Sequence, residues 1–120
     1  MKRVVLLCLF GLLCLLGSPA AAQTITHPPE GAPDPYSGWV SPVVGPCCGK
    51  QDCGVAQRCS VQGRAGFVEH GQCHVLPPDR YVEPPLPLAG SSELHVCRQP
   101  VWIGGTYVPQ VLCWTDALGL

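Results

Sequence analysis

The chain has 120 residues and a formal net charge of −1, and it carries 14 prolines, 14 glycines and nine cysteines. This is enough for one small domain. The few charges are scattered, with no basic patch or stripe, which argues against nucleic acid as a partner and against an electrostatic hold on anionic membranes.

The N-terminal 22 residues read as a secretory signal peptide. Lys2 and Arg3 open it, residues 4–17 are an apolar run, and Ser18 to Ala22 form a small-residue exit with cleavage expected after Ala22. As a helix, the run would rise about 21 Å, short of a bilayer core of roughly 30 Å, so no membrane span is expected once the leader is removed. A lipid-anchored cleavage at Cys8 or Cys14 fits poorly, because each follows a leucine. The mature chain then holds seven cysteines, with five basic and eight acidic side chains that sum to −3.

Residues 23–46 contain six prolines. Proline fixes φ, removes a donor and disfavours helix in the residue before it, so this part reads as an extended arm, mobile over residues 23–35. Tyr36 and Trp39 sit at its end, either docked on the domain or exposed for binding. Cys47, Cys48 and Cys53, with Cys59 close behind, form a cysteine knot in a tight loop without periodicity. Adjacent cysteines rarely bond each other, so Cys47 and Cys48 should have different partners.

Short strands are expected over residues 55–61, 66–69 and 73–76, with a turn at residues 63–66 and a three-residue connection at residues 70–72. The prolines at 77, 78, 84, 85 and 87 favour extended segments, read as a rigid connector or as a ligand for aromatic grooves. Residues 93–97 alternate polar and apolar, and residues 101–108 read as a hairpin with a glycine turn. No window has a sustained helical period. The fold expected is a small all-β or β-rich, irregular, disulfide-stabilised single domain over residues 47–115, followed by a short tail at 116–120.

The last hairpin suggests one cross-link. A three-residue loop at residues 104–106 would set Ile103 against Tyr107 and Cys97 against Cys113, close enough for a Cys97–Cys113 disulfide. A two-residue loop at Gly104-Gly105 would instead set Arg98 against Val111 and Cys97 against Leu112. A competing map joins Cys97 or Cys113 to the Cys47-Cys48 knot. Because the count is odd, one of Cys47, Cys48, Cys53, Cys59, Cys73, Cys97 and Cys113 is left over for a free thiol or a disulfide-linked dimer.

The chemistry-bearing motifs are few. There is no Cys-x-x-Cys, no Gly-x-Ser-x-Gly, no His-Glu-x-x-His and no phosphate-cradling loop. His70, His74 and His95 with an unpaired cysteine could ligate zinc or copper, since soft sulfur and imidazole suit those metals. Cys73 and His74 would point to opposite faces of a strand, which weakens that set.

The combination of Tyr36, Gly38 and Trp39, Cys47-Cys48 with Asp52-Cys53, His95-Val96-Cys97 and Cys113-Trp114 resembles uncharacterised small secreted cysteine-rich proteins of alphaproteobacteria, over roughly residues 36–114. The resemblance implies secretion and a cysteine framework, and no activity or site. Cys59 and Cys73 look like additions to that pattern, which implies that they pair with each other. The Pro-Pro ending of the group is replaced here by Thr115-Asp116-Ala117.

The reading that follows is a secreted or periplasmic, disulfide-stabilised interaction module, not an enzyme, without cofactor, meeting an unknown protein or envelope component. Its binding face would be drawn from Tyr36, Trp39, Trp102, Tyr107 and Trp114, since aromatics supply contact area at low entropy cost. The alternatives are a periplasmic metal-binding protein and an inhibitor or toxin presenting the loop at residues 49–52.

Overall fold

A computed structural model describes residues 25–47, 52–84 and 88–116. The leader, Cys48, the loop residues Gly49, Lys50 and Gln51, the prolines at 85 and 87, and the tail beyond Asp116 lie outside the described residues. The fold is small and β-rich. It comprises β1 (Val40–Ser41), β2 (Gly45–Pro46), β3 (Cys53–Ala56), β4 (Arg58–Val61), β5 (Arg64–Glu69), β6 (Gln72–Val75), β7 (Leu94–Ile103) and β8 (Thr106–Asp116), and a 3₁₀ turn lies at Pro78–Arg80.

The strands form two three-stranded antiparallel sheets, ordered β3-β7-β8 and β4-β5-β6, and a two-stranded β1-β2 ribbon. The expected strand at 55–61 is divided: it leaves the first sheet at Ala56 and enters the second at Arg58. Three hairpins close through two-residue turns, at Gln62-Gly63, His70-Gly71 and Gly104-Gly105, and both central residues of each have positive φ. That backbone is the type I′ turn, whose twist matches the flanking strands. The three-residue connections expected at 70–72 and 104–106 are therefore one residue shorter. The twist preference outweighs the strain of a left-handed Gln62 and His70.

Alternation along β7 and β8 divides the core into two clusters, one on each face of the first sheet. Ile25, Ala56, Phe67, Leu76, Leu94, Val96, Val111 and Trp114 fill the space toward the second sheet. Tyr36, Trp39, Cys47, Cys53, Leu88, Cys97, Leu112 and Cys113 form the other cluster, with Val44 and Val82 against it. Residues 25–46, from the segment expected as an extended arm, thus contribute to both clusters. Thr26 also exchanges backbone hydrogen bonds with Val55 at the edge of β3. Gly54 makes that approach feasible, because a Cβ there would collide with Ile25 and the Thr26 carbonyl.

Two arginine–carboxylate forks join the sheets. Arg58 in β4 donates to both carboxylate oxygens of Asp116 in β8, at 2.8 and 2.7 Å. Arg98 in β7 donates to Glu69 in β5, at 2.7 to 3.1 Å. Such planar pairs fix geometry as well as adding energy.

Among the described residues the disulfides are Cys47–Cys113, Cys53–Cys97 and Cys59–Cys73. The Cys97–Cys113 bond expected from the hairpin register is not formed, although the two residues do face each other. The two-residue turn sets Arg98 opposite Val111, and a bulge between Cys97 and Arg98 then restores Cys97 opposite Cys113. β7 is the central strand, so Cys97 also faces Cys53 on β3, with Cα atoms 3.9 Å apart. Cys97 bonds that neighbour, and Cys113 reaches across to Cys47. In the chain-entropy model, loops with separations of 66 and 44 residues each contribute about 4 kcal/mol.

Cys59–Cys73 crosses the middle strand of its sheet. Neighbouring strands lie about 4.8 Å apart, so β4 and β6 would be roughly twice that in a flat sheet. Their cysteine Cα atoms are only 5.9 Å apart, so the sheet is curled. Gly66 lies on β5 opposite Cys59, and a Cβ there would sit 2.8 Å from Cys73 Sγ and 2.6 Å from the His74 carbonyl. The missing side chain leaves room for the bridge.

Candidate interaction surface

The ends of the β7–β8 hairpin differ. β3 pairs with β7 only from Leu94 to Cys97, and the last tie is the Arg98 N–H donating to the Asp52 carbonyl at 2.9 Å. Beyond it, residues 98–111 continue as a two-stranded ribbon to the turn at Gly104-Gly105. Trp102 is 64 % exposed, Ile103 63 % and Val108 43 %. Residues 99–115 include no charged side chain.

Alternation places Arg98, Pro100, Trp102, Tyr107 and Pro109 on one face of the ribbon and Val101, Ile103, Thr106 and Val108 on the other. Counting from the two-residue turn, Pro100 and Pro109 face each other as a non-hydrogen-bonded pair. Their nitrogens therefore point outward along the two edges. Proline has no N–H to offer, so both edges are blunted against strand addition. Contact through this ribbon therefore falls mainly to its side chains.

An aromatic ladder supports the first face from below. Tyr107 packs against Trp102 at 5.2 Å, His70 at 4.4 Å and His74 at 6.0 Å between ring centroids, and His74 packs on the buried Phe67 at 5.4 Å. Under the ladder, Glu69 is fully buried and accepts from Arg98 and from the Tyr107 hydroxyl. Burial pushes the Glu69 carboxyl up, but the bonds from Arg98 and Tyr107 outweigh it and hold the group below the ordinary glutamate range. Tyr107 is pushed up to about 12, by burial and then by its bond to Glu69. The carboxylate thus stays ionised and the phenol neutral near pH 7, and the base of the ribbon is rigidly fastened.

Of the five aromatics read as a binding face, Tyr36, Trp39 and Trp114 are core residues, at 2 %, 3 % and 0 % exposure. Each has its polar atom satisfied inside, as buried Tyr and Trp require. Trp39 Nε1 donates to the Glu83 carbonyl at 3.1 Å, and Trp114 Nε1 to the Pro77 carbonyl at 2.7 Å. The Tyr36 hydroxyl lies 3.0 Å from His95 Nδ1. Trp102 is exposed and Tyr107 half-buried beside it, so the face contracts to the ribbon end. The segment holding Pro77 and Pro78 is a connector, with Val82 N–H donating to the Trp114 carbonyl at 3.0 Å.

The histidines do not converge. His70 packs edge-to-face with Tyr107, His74 Nε2 lies 3.0 Å from the Glu69 carbonyl, and His95 is buried on the other face of the first sheet. His95 Nε2 lies 2.9 Å from the Ser91 hydroxyl, so both ring nitrogens have partners. Burial lowers its pKa. Cys59, Cys73, Cys97 and Cys113 are oxidised, and thiolates alone ligate. Among the described residues, no three of His, Cys, Asp and Glu come together as a metal set. The geometry does not favour the metal-binding alternative.

Sequence reasoning missed Ile103, Val108, Glu69 and Arg98. The uncharged run was a usable signal for the first two. The Glu69–Arg98 pair had no sequence signal, because it joins strands of different sheets. Comparison of the chain with protein-family models, curated proteins and solved structures finds no match.

Proposed function

We propose that the protein is a non-catalytic interaction module, secreted or periplasmic, that makes contact through the free end of the β7–β8 ribbon. The observation that carries this is the exposure of Trp102, Ile103 and Val108 on an uncharged ribbon whose edges are blunted by Pro100 and Pro109. Exposed apolar side chains clustered in this way mark contact sites more often than chance surface. The three disulfides suit an oxidising extracytoplasmic compartment. The uncharged ribbon also fits the absence of a basic patch, since contact would be apolar and not electrostatic.

The test is site-specific photo-cross-linking in the secreting cell. A photoreactive phenylalanine analogue installed in place of Ile103 should form adducts of defined mass. The same analogue in place of the exposed Ser60, on β4, should form none. Equal labelling at both positions, or none at Ile103, would overturn the reading.

A further inference from the structure

The ribbon end is apolar on both faces. Trp102 projects from one face, and Ile103 and Val108 from the other, and all three are exposed. A flat partner, including a second copy of this chain, would cover one face and leave the other in water. A medium that surrounds the tip covers both. Strand addition is hindered by the outward nitrogens of Pro100 and Pro109, which also halve the edge N–H groups between Arg98 and the turn that would lose water on transfer.

Polarity is also layered along the ribbon. The ionised Glu69–Arg98 pair lies at its base, and the Tyr107 hydroxyl points back to it. The Trp102, Tyr107 and His70 rings come next. Ile103 and the two glycines form the end. At about 3.3 Å per residue, Ile103 is roughly 16 Å from Arg98. Charge, then amphipathic ring, then aliphatic tip is the order of polarity met on entering a lipid interface, where Trp and Tyr lodge at headgroup level. No charged side chain between residues 99 and 115 would have to be desolvated.

We infer that the tip of the β7–β8 ribbon inserts into the interface of a lipid bilayer, to a depth of about 5–10 Å. The tip enters one leaflet and does not cross the bilayer. The contact is hydrophobic, so it requires neither anionic lipid nor low salt. This inference rests on the interaction reading above and names the partner as a lipid surface.

The oxidised mature chain is mixed with zwitterionic phosphatidylcholine vesicles, with or without brominated acyl chains, and tryptophan emission is followed. Trp39 and Trp114 are buried, so Trp102 reports the change. The expected result is a blue shift, quenching by the brominated lipid, and partitioning that is unchanged between low and physiological salt. Ile103→Asp should weaken partitioning by at least about tenfold, and Ile103→Leu should preserve it. Melting curves establish that both variants are folded.

No partitioning, partitioning indifferent to Ile103→Asp, or partitioning confined to anionic vesicles would overturn the inference. So would lipid-independent dimerisation that Ile103→Asp abolishes, which would assign the tip to a second copy. If vesicles fail while the cross-linker at Ile103 still captures a protein, the lipid falls and the interaction reading stands. If the cross-linker captures nothing, the interaction reading itself falls.

Discussion

The inner and outer halves of the β7–β8 hairpin share the same two strands and differ in almost everything else. From Leu94 to Cys97 and from Leu112 to Asp116 the strands lie between two core clusters, with two of the three disulfides on one face. From Arg98 to Val111 they form a ribbon with no third strand among the described residues and with blunted edges. The bulge between Cys97 and Arg98 marks the change, and there Leu112 and Cys113 both face the same cluster. A bulge re-aims side chains at such a boundary. One pair of strands is therefore scaffold at one end and, on the function proposed above, contact surface at the other, so removing an apolar side chain should cost far more stability at the first end than at the second.

The largest effect is expected in the inner half. Trp114→Ala removes a fully buried side chain and one of the two hydrogen bonds to the Pro77 carbonyl, and it should cost about 3–5 kcal/mol. Denaturant unfolding of the oxidised protein measures this. A loss below about 1 kcal/mol would mean that the inner half is not the scaffold.

At the boundary, Glu69→Gln leaves Arg98 as a poorly compensated buried charge. The expected cost is about 3 kcal/mol, with weakened protection of the ribbon amides in hydrogen exchange. Retained protection would show that the ribbon is held without this pair.

Acid should loosen the two regions in sequence. The unfolded chain protonates His95 near 6.5, and the folded protein resists until a lower pH. Its contribution is complete above pH 6.5 and is lost as pH falls through 6.5 toward the folded value. Glu69 is held below its ordinary 4.5, so its contribution is complete above pH 4.5 and is lost as pH falls through that value toward the folded one. Urea midpoints measured from pH 7.5 to 3 should thus decline in two stages. His95→Gln should flatten the first and Glu69→Gln the second. Midpoints that rise on acidification would contradict both assignments.

The β-rich class was legible in the sequence because prolines, glycines and short alternating runs leave no helical period. The hairpin around Gly104-Gly105 was legible too, since apolar runs flank it. What was hidden depended on a third strand. Cys97 opposite Cys113 follows from local register, but Cys53 on the other side of Cys97 is a neighbour only because β7 is central. The aromatics misled for a related reason. Trp114 and Trp102 are both tryptophans in strands, and only the packing of the second sheet over one of them makes it core. The run of residues 99–115 without charge was the sequence signal that marked the ribbon, and its meaning required knowing which half was covered.

The smallest stability effect is expected at the tip, where it tests the division of the hairpin most directly. Thermal unfolding of the oxidised double variant Trp102→Ser/Ile103→Ser should match the original protein to within about 1 kcal/mol, the worth of the lost Trp102–Tyr107 ring contact, or roughly 4–8 °C in Tm. A loss of several kcal/mol, comparable with that of Trp114→Ala, would show that the tip is part of the scaffold and contradict its assignment as the contact surface.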